Sequence, residues 1–184
     1  MWPSCIIKEN FLDQEDLDIL SRGQWNTLEA GWDIMKNKIV DGQLTESTVR
    51  HGGMPPKGLP SGTELLNIYN KYQVEMLGML SELAPEKVLK LQFTELNLVS
   101  TGKNYVYPIH NDTYDKLLSV VIYITPELNT GTILYDTANG DNAREVEWKR
   151  NRAFAFSRTE ETWHSYQSNG ITNRVALVYN LRGS

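Results

Sequence analysis

Residues 162–181 read TWHSYQSNGITNRVALVYNL. Two runs of β-branched and aromatic residues, 162–167 and 174–181, flank a Ser-Asn-Gly turn, the pattern of two short strands. The same texture runs upstream. Leu89–Val99, Tyr105–His110, Leu117–Thr125, Thr132–Asp136, Val146–Trp148 and Ala153–Phe156 are further stretches rich in Val, Ile, Tyr and Phe. Turns such as Ser-Thr-Gly-Lys-Asn at 100–104 separate them. Eight short strands after residue 88 predict a mainly β fold, a barrel or sandwich, braced by what precedes it.

The preceding half has a different texture. Cys5-Ile6-Ile7 reads as a short strand. Asp13 is placed to cap a helix over Gln14 to Arg22, with Leu17 and Leu20 turned inward. A second helix is expected over Trp25 to Lys36. Residues 48–62 are rich in Gly and Pro and read as a long loop, able to serve as a lid. Ser61 with Glu64 three residues on is a capping box. The helix it opens carries Leu65, Tyr69, Tyr72, Met76, Leu80 and Leu83 near a 3.6-residue period, and Pro85 follows its end. The expectation is one domain over 1–184, with a helical part at 1–87 and a β core at 88–184.

Composition narrows the function. The chain has 184 residues, 40% hydrophobic and 22% charged, which suits a globular core. Its net charge of -5 offers no basic stripe, so nucleic acid is not an expected partner. The single cysteine, Cys5, excludes an internal disulfide and a cysteine metal site. No apolar run approaches the roughly 20 residues of a membrane span, and no signal peptide is visible. A cytoplasmic protein is expected, of unspecified oligomeric state.

Three histidines are present, His51, His110 and His164. His110 and Asp112 stand two apart at a strand end, and a strand sends such residues to one face. His164, on a later strand, can complete a set of two histidines and one carboxylate. That set is the facial triad of non-haem iron(II) oxygenases, which leaves coordination positions open. His-x-Asp alone is common in solvated turns; order and spacing give it weight. Ten residues beyond His164 stands Arg174. A hairpin through Asn169-Gly170 would put the two on one face and aim a guanidinium at the metal cavity. Its fork suits a planar carboxylate. His51 reads as a loop histidine, Trp163 and Tyr107 as wall or core residues, and Lys116 and Arg158 as candidates for the rim.

At these residues the sequence resembles the 2-oxoglutarate/iron(II) oxygenase superfamily, and most its prolyl-hydroxylase-like branch. The resemblance runs from about Leu89 to Leu181 through YPIHND (107–112), LSVVIYI (118–124), GTILY (131–135), NRAFAFS (151–157), WHSY (163–166) and NRVALVY (173–179). The N-terminal IIKENFLDQED also resembles the branch's entry segment. The resemblance implies a double-stranded β-helix (a jelly-roll, cupin-like barrel), with His110, Asp112 and His164 as iron ligands. It implies Arg174, helped by Tyr123, as the anchor of the distal carboxylate of 2-oxoglutarate. The implied reaction consumes molecular oxygen and 2-oxoglutarate, releases succinate and CO2, and hydroxylates a C–H bond of a protein, peptide or small-molecule substrate.

Two departures stand out. Relatives often carry Ser or Thr two residues after the arginine, where this chain has Ala176; the usual glycine pair is reduced to Thr130-Gly131. Asp112 argues against the halogenase variant, which lacks that carboxylate. The competing readings are a non-catalytic metal- or ligand-binding barrel and a nucleic-acid alkyl-lesion demethylase.

Overall fold

The computed structural model describes residues 1–184. In chain order the elements are β1 (Ile6–Lys8), α1 (Gln14–Ser21), β2 (Trp32–Val40), β3 (Gln43–Arg50) and α2 (Gly62–Leu83). A 3-10 turn at Pro85–Lys90 leads into β4 (Leu91–Thr101), β5 (Val106–His110), β6 (Lys116–Thr125) and β7 (Thr132–Tyr135). The remaining strands are β8 (Arg144–Val146), β9 (Ala153–Phe156), β10 (Trp163–Gln167) and β11 (Arg174–Gly183). They form two antiparallel sheets: seven strands ordered β1-β9-β6-β11-β4-β2-β3, and four ordered β5-β10-β7-β8.

The large sheet owes its place to two-residue periodicity. On β11, Val175, Leu177, Tyr179 and Leu181 enter the main apolar core. The alternate residues Arg174, Ala176, Val178, Asn180 and Arg182 line a cavity. β6 divides likewise, with Leu118, Val120, Ile122 and Ile124 in the core and Ser119 and Val121 on the cavity. One face is thus sealed by helices, and the other is left for chemistry.

α2 provides most of that seal. Its Leu65, Ile68, Tyr72, Met76, Met79 and Leu80 are buried in the core with Leu17 and Leu20 of α1. The capping box forms as expected, with the Ser61 side chain accepting from Glu64 N at 3.1 Å and Glu64 Oε1 from Ser61 N at 2.9 Å. Asp13 is the N-cap of α1 by position, but its side chain makes no capping bond. A smaller core of Trp2, Leu134, Val146, Phe154 and Phe156 brings together β7, β8 and β9.

Two expectations are corrected. The helix expected over Trp25–Lys36 is absent; β2 begins at Trp32 and pairs with β3 and β4. Asp33, Met35, Asn37 and Ile39 are buried on one face of β2, while Trp32, Ile34 and Lys36 meet the cavity on the other. The turn at Asp41-Gly42 has positive φ at both residues (50° and 74°), as a tight hairpin requires. The segment 1–87 is therefore helical only in part. The loop expected at 48–62 shrinks because β3 runs to Arg50, and it is pinned where Gln24 and Lys57 exchange backbone bonds of 2.7 and 3.2 Å. No helix is long and apolar enough to cross a membrane.

Candidate metal and co-substrate site

His110 ends β5 and pairs directly with His164 on β10, so the two imidazoles leave adjacent strands side by side, with ring centroids 4.3 Å apart. Asp112 lies just past the end of β5. Its Oδ1 is 3.6 Å from Nε2 of each histidine. One ligand atom from each of the three residues falls within 4.8 Å of the others. The local backbone prepares this convergence. Nδ1 of His110 meets the Pro108 carbonyl at 2.9 Å, and Nδ1 of His164 meets the Thr162 carbonyl at 2.7 Å. A protonated Nδ1 leaves Nε2 with its lone pair turned to Asp112, the arrangement a metal-binding histidine needs. Burial pushes His164 down to about 4, with Asp112 acting against the shift, so its imidazole is neutral at pH 7. Burial pushes the Asp112 carboxyl up, but the facing His110 ring, the Lys116 ammonium and the His164 ring together outweigh it and hold it well below the usual range. Two imidazoles and a carboxylate suit iron(II).

The aspartate is held from behind. Ser119 Oγ donates to its Oδ2 at 3.2 Å, and Arg158 Nε donates to its backbone carbonyl at 2.7 Å. Asn111 bridges to the β9–β10 loop through Thr159 O and Thr162 Oγ1, at 2.7 and 2.6 Å. The strand ends bearing Asp112 and His164 are thereby tied together. Lys116 lines the cavity with its Nζ 3.4 Å from Asp112, while Arg158 works behind the aspartate.

Arg174 reaches the same cavity by a route the hairpin expectation missed. β10 and β11 do not pair; they belong to different sheets, and residues 168–173 cross between them. His164 and Arg174 line one cavity of about 300 Å³ from its two walls. Arg174 is only 3% exposed. Its Nε donates to Thr130 O at 3.0 Å, and its Nη2 is buried without any partner. Its guanidinium carbon stands 4.6 Å from the ring of Tyr166 and 4.9 Å from that of Trp148. Burial lowers its pKa, opposed by Tyr123 and Tyr166. A sealed guanidinium with an idle donor fits the carboxylate of a dicarboxylic co-substrate.

Tyr123 is placed differently from expectation. It is fully buried, and its hydroxyl contacts Thr132 Oγ1 at 3.0 Å, donates to Val146 O at 3.1 Å and accepts from Thr132 N at 3.0 Å. It does not line the cavity, whereas Thr132 and Tyr166 do. Those two hydroxyls escaped the sequence reading, although Tyr166 lies only two residues beyond His164 in a strand and shares its face. Gly131 is required where it stands, because a Cβ there would come within 1.8 Å of Val146 O. Tyr107 lines the cavity, 4.1 Å from the His110 ring, while Trp163 does not, and its carbonyl accepts from Trp2 at 2.9 Å. His51 is exposed, bonds to Gly53 O at 2.9 Å and stays outside the cavity.

No family model and no curated protein matches the sequence. Solved structures do match. A Pseudomonas putida prolyl-4-hydroxylase superposes with a TM-score of 0.57 at 16% identity, over 98% of this chain and 92% of that one. A Trichoplax adhaerens prolyl hydroxylase, in complex with a hypoxia inducible factor oxygen degradation domain peptide fragment, gives 0.60 at 14%, over 97% and 83%. A Burkholderia pseudomallei oxidoreductase of the 2OG-Fe(II) oxygenase family gives 0.56 at 16%, over 97% and 84%. At such identities the likeness is one of fold.

Proposed function

We propose that this chain is an iron(II)- and 2-oxoglutarate-dependent dioxygenase, which hydroxylates a C–H bond of a peptidyl or small-molecule substrate and releases succinate and CO2. The observation that carries the reading is one cavity holding both the His110–Asp112–His164 cluster and a sealed guanidinium with a partnerless Nη2. In this reading β4–β11 form the eight strands of a double-stranded β-helix, and residues 1–184 act as one domain in the cytoplasm.

His110, Asp112 and His164 would hold the iron, which when bound supplies the activation of molecular oxygen that protein side chains cannot. Arg174 pairs with the distal carboxylate of 2-oxoglutarate. Tyr166 lines the same wall with its ring 4.6 Å from the guanidinium, and Thr132 lines it as well, its hydroxyl held by Tyr123. Tyr123 acts through Thr132 as a positioning residue, its hydroxyl fixing that of its neighbour. Ser119 and Arg158 keep Asp112 aimed at the metal.

The test uses purified protein without oxygen. Iron-loaded protein titrated with 2-oxoglutarate is expected to develop the metal-to-ligand charge-transfer absorption of a chelated 2-oxo acid. With oxygen, a substrate screen should release succinate and find a product heavier by one oxygen. An iron-loaded protein that shows neither the absorption nor succinate is a ligand-binding barrel, and the proposal fails.

A further inference from the structure

The cavity carries more positive charge than the proposed chemistry uses. Lys36, Arg50, Lys116, Arg174 and Arg182 line it, against the two carboxylates of Glu95 and Asp112. This is a local surplus of three positive charges in a chain of net charge -5. Iron(II) adds two charges and the 2-oxoglutarate dianion removes two, so loading the site leaves the surplus unchanged. Arg182 is answered by Glu95 and by Asp115 at 2.7 Å, and Arg174 by the co-substrate. Of the other three cations, Arg50 has no carboxylate partner and Lys36 and Lys116 only shared ones. Lys36 comes no closer than 4.0 Å to Glu95, whose charge Arg182 already takes. Lys116 reaches only Asp112, the carboxylate the metal would claim. Arg50 lies over the ring of the half-exposed Trp32, 5.3 Å away, and makes no ion pair. Like charges gathered on concave walls focus the field and draw anions.

A second observation concerns hydrogen bonding. Asn180 lines the cavity at 2% exposure, between Glu95 and Ser119 in register, and its Oδ1 has no partner. A buried acceptor needs a donor. The 2-oxoglutarate dianion has none to give, whereas an amine or amide N–H of a second molecule in the cavity does.

We propose that the primary substrate is anionic and amino-acid-like, its carboxylate drawn to Lys36, Arg50 and Lys116 and its amine or amide N–H given to Asn180. The inference rests on the dioxygenase reading, because the charge balance counts iron and 2-oxoglutarate. Two sources share this chemistry: free aspartate or glutamate, net anionic through the second carboxylate, and a peptide, through the same side chains.

Zinc(II) in place of iron keeps the charge and prevents turnover. Zinc-loaded protein is titrated first with 2-oxoglutarate. Once saturated, it is titrated with each L-amino acid in free form and as its N-acetyl methylamide, with binding followed by calorimetry and saturation-transfer NMR. At least one anionic form should bind about tenfold or more tighter than its uncharged counterpart, and added salt should weaken it. Lys36→Met and Arg50→Met, both at the exposed mouth, should each weaken that binding about threefold or more while 2-oxoglutarate binds as before. Asn180→Leu should weaken an amino acid more than the matching acid without its amine. Binding of free aspartate or glutamate assigns a metabolite, and binding of blocked aspartate or glutamate assigns a peptide; either supports the proposal. It is overturned if neutral forms bind equally, if no anionic form binds, or if only a single-stranded oligonucleotide does. Failure of 2-oxoglutarate to bind the zinc protein appears in the first titration, and removes the dioxygenase reading and this inference together.

Discussion

Burying a guanidinium costs several kcal/mol unless its charge and donors are answered, and Arg174 sits at 3% exposure with Nη2 unpartnered. Its stacking on Tyr166 and Trp148 offsets part of that cost. Arg174→Met is therefore expected to raise the stability of the ligand-free protein by about 1–4 kcal/mol in urea denaturation. The same change should weaken 2-oxoglutarate binding on the order of 2–5 kcal/mol with iron affinity kept, and Arg174→Lys should recover only part of it. Unaltered 2-oxoglutarate binding by Arg174→Met would show that the arginine serves the fold alone. His164 makes a prediction in pH. Its pKa of about 4 lies below the ordinary value of about 6.5. The unfolded chain then binds the proton better, so the metal-free protein is most stable above about pH 6.5 and loses up to about 3 kcal/mol as pH falls to about 4. His164→Gln should flatten this slope, and an unchanged slope would place the titration elsewhere. Order and spacing made His110, Asp112, His164 and Arg174 legible in the sequence. Thr132, Tyr166 and Asn180 were not, because a polar residue in a strand reveals its partner only when the facing sheet is known. Tyr123 was legible as a strand aromatic, but the direction of its hydroxyl depends on Thr132 and Val146, distant in sequence.

The elements differ in how openly the sequence declares them. α2 announces itself by Ser61, Glu64 and an apolar face in helical period, and it forms with its cap complete. The β2–β3 hairpin was missed because the start of β2 was read into a helix over Trp25–Lys36. Trp32-Asp33-Ile34-Met35 looks apolar on a helix, yet its buried face includes Asp33 and Asn37, so two-residue alternation was masked by polar residues facing inward. Those polar residues are answered locally: Asp33 accepts from Thr27 Oγ1 and Gly52 N, both at 3.0 Å, and Asn37 Nδ2 donates to Leu96 O at 2.8 Å. Asp41-Gly42 was the overlooked signal, since that dipeptide favours a two-residue turn with positive φ. The hairpin matters because its β2 strand supplies Trp32 and Lys36 to the cavity wall. α2 seals the opposite face of the same sheet, so its cap bears on the whole layer. Ser61→Ala should lower unfolding stability by about 1 kcal/mol, read from the urea midpoint at constant slope. Because the bidentate Arg22–Glu64 pair also holds this first turn, a loss much below that amount would mean the ion pair alone suffices.

At the scale of the whole molecule, the cavity depends on joining the N-terminal segment to a sheet whose central strands, β9, β6, β11 and β4, come from the second half of the chain. β1 extends that sheet by pairing with β9, and Tyr72 of α2 accepts from Asp13 N at 2.9 Å while donating to Asp16 at 2.5 Å. The closest tie is Asn151, which lies before β9 and is 7% exposed. Its Oδ1 accepts from Leu12 N and its Nδ2 donates to Leu12 O, both at 2.9 Å, across 139 residues of sequence. Its own backbone accepts from Phe11 N at 3.0 Å and donates to Tyr123 O at 2.7 Å. It holds φ at 66°, a left-handed conformation that asparagine tolerates better than most residues. Asn151→Ala strips both side-chain bonds and leaves two buried backbone groups of Leu12 unanswered, at about 1–3 kcal/mol each. It also adds about 1 kcal/mol or more of strain at positive φ. The expected loss is therefore about 3 kcal/mol or more, a large part of the stability of an ordinary domain. Asn151→Gly relieves the φ strain without restoring either bond, so its stability should fall between that of Asn151→Ala and the parent. Urea denaturation of the three proteins checks the order. Equal stabilities for Asn151→Gly and the parent would mean that the bonds to Leu12 contribute nothing net, and that β1 and the helix packing alone hold the two halves together.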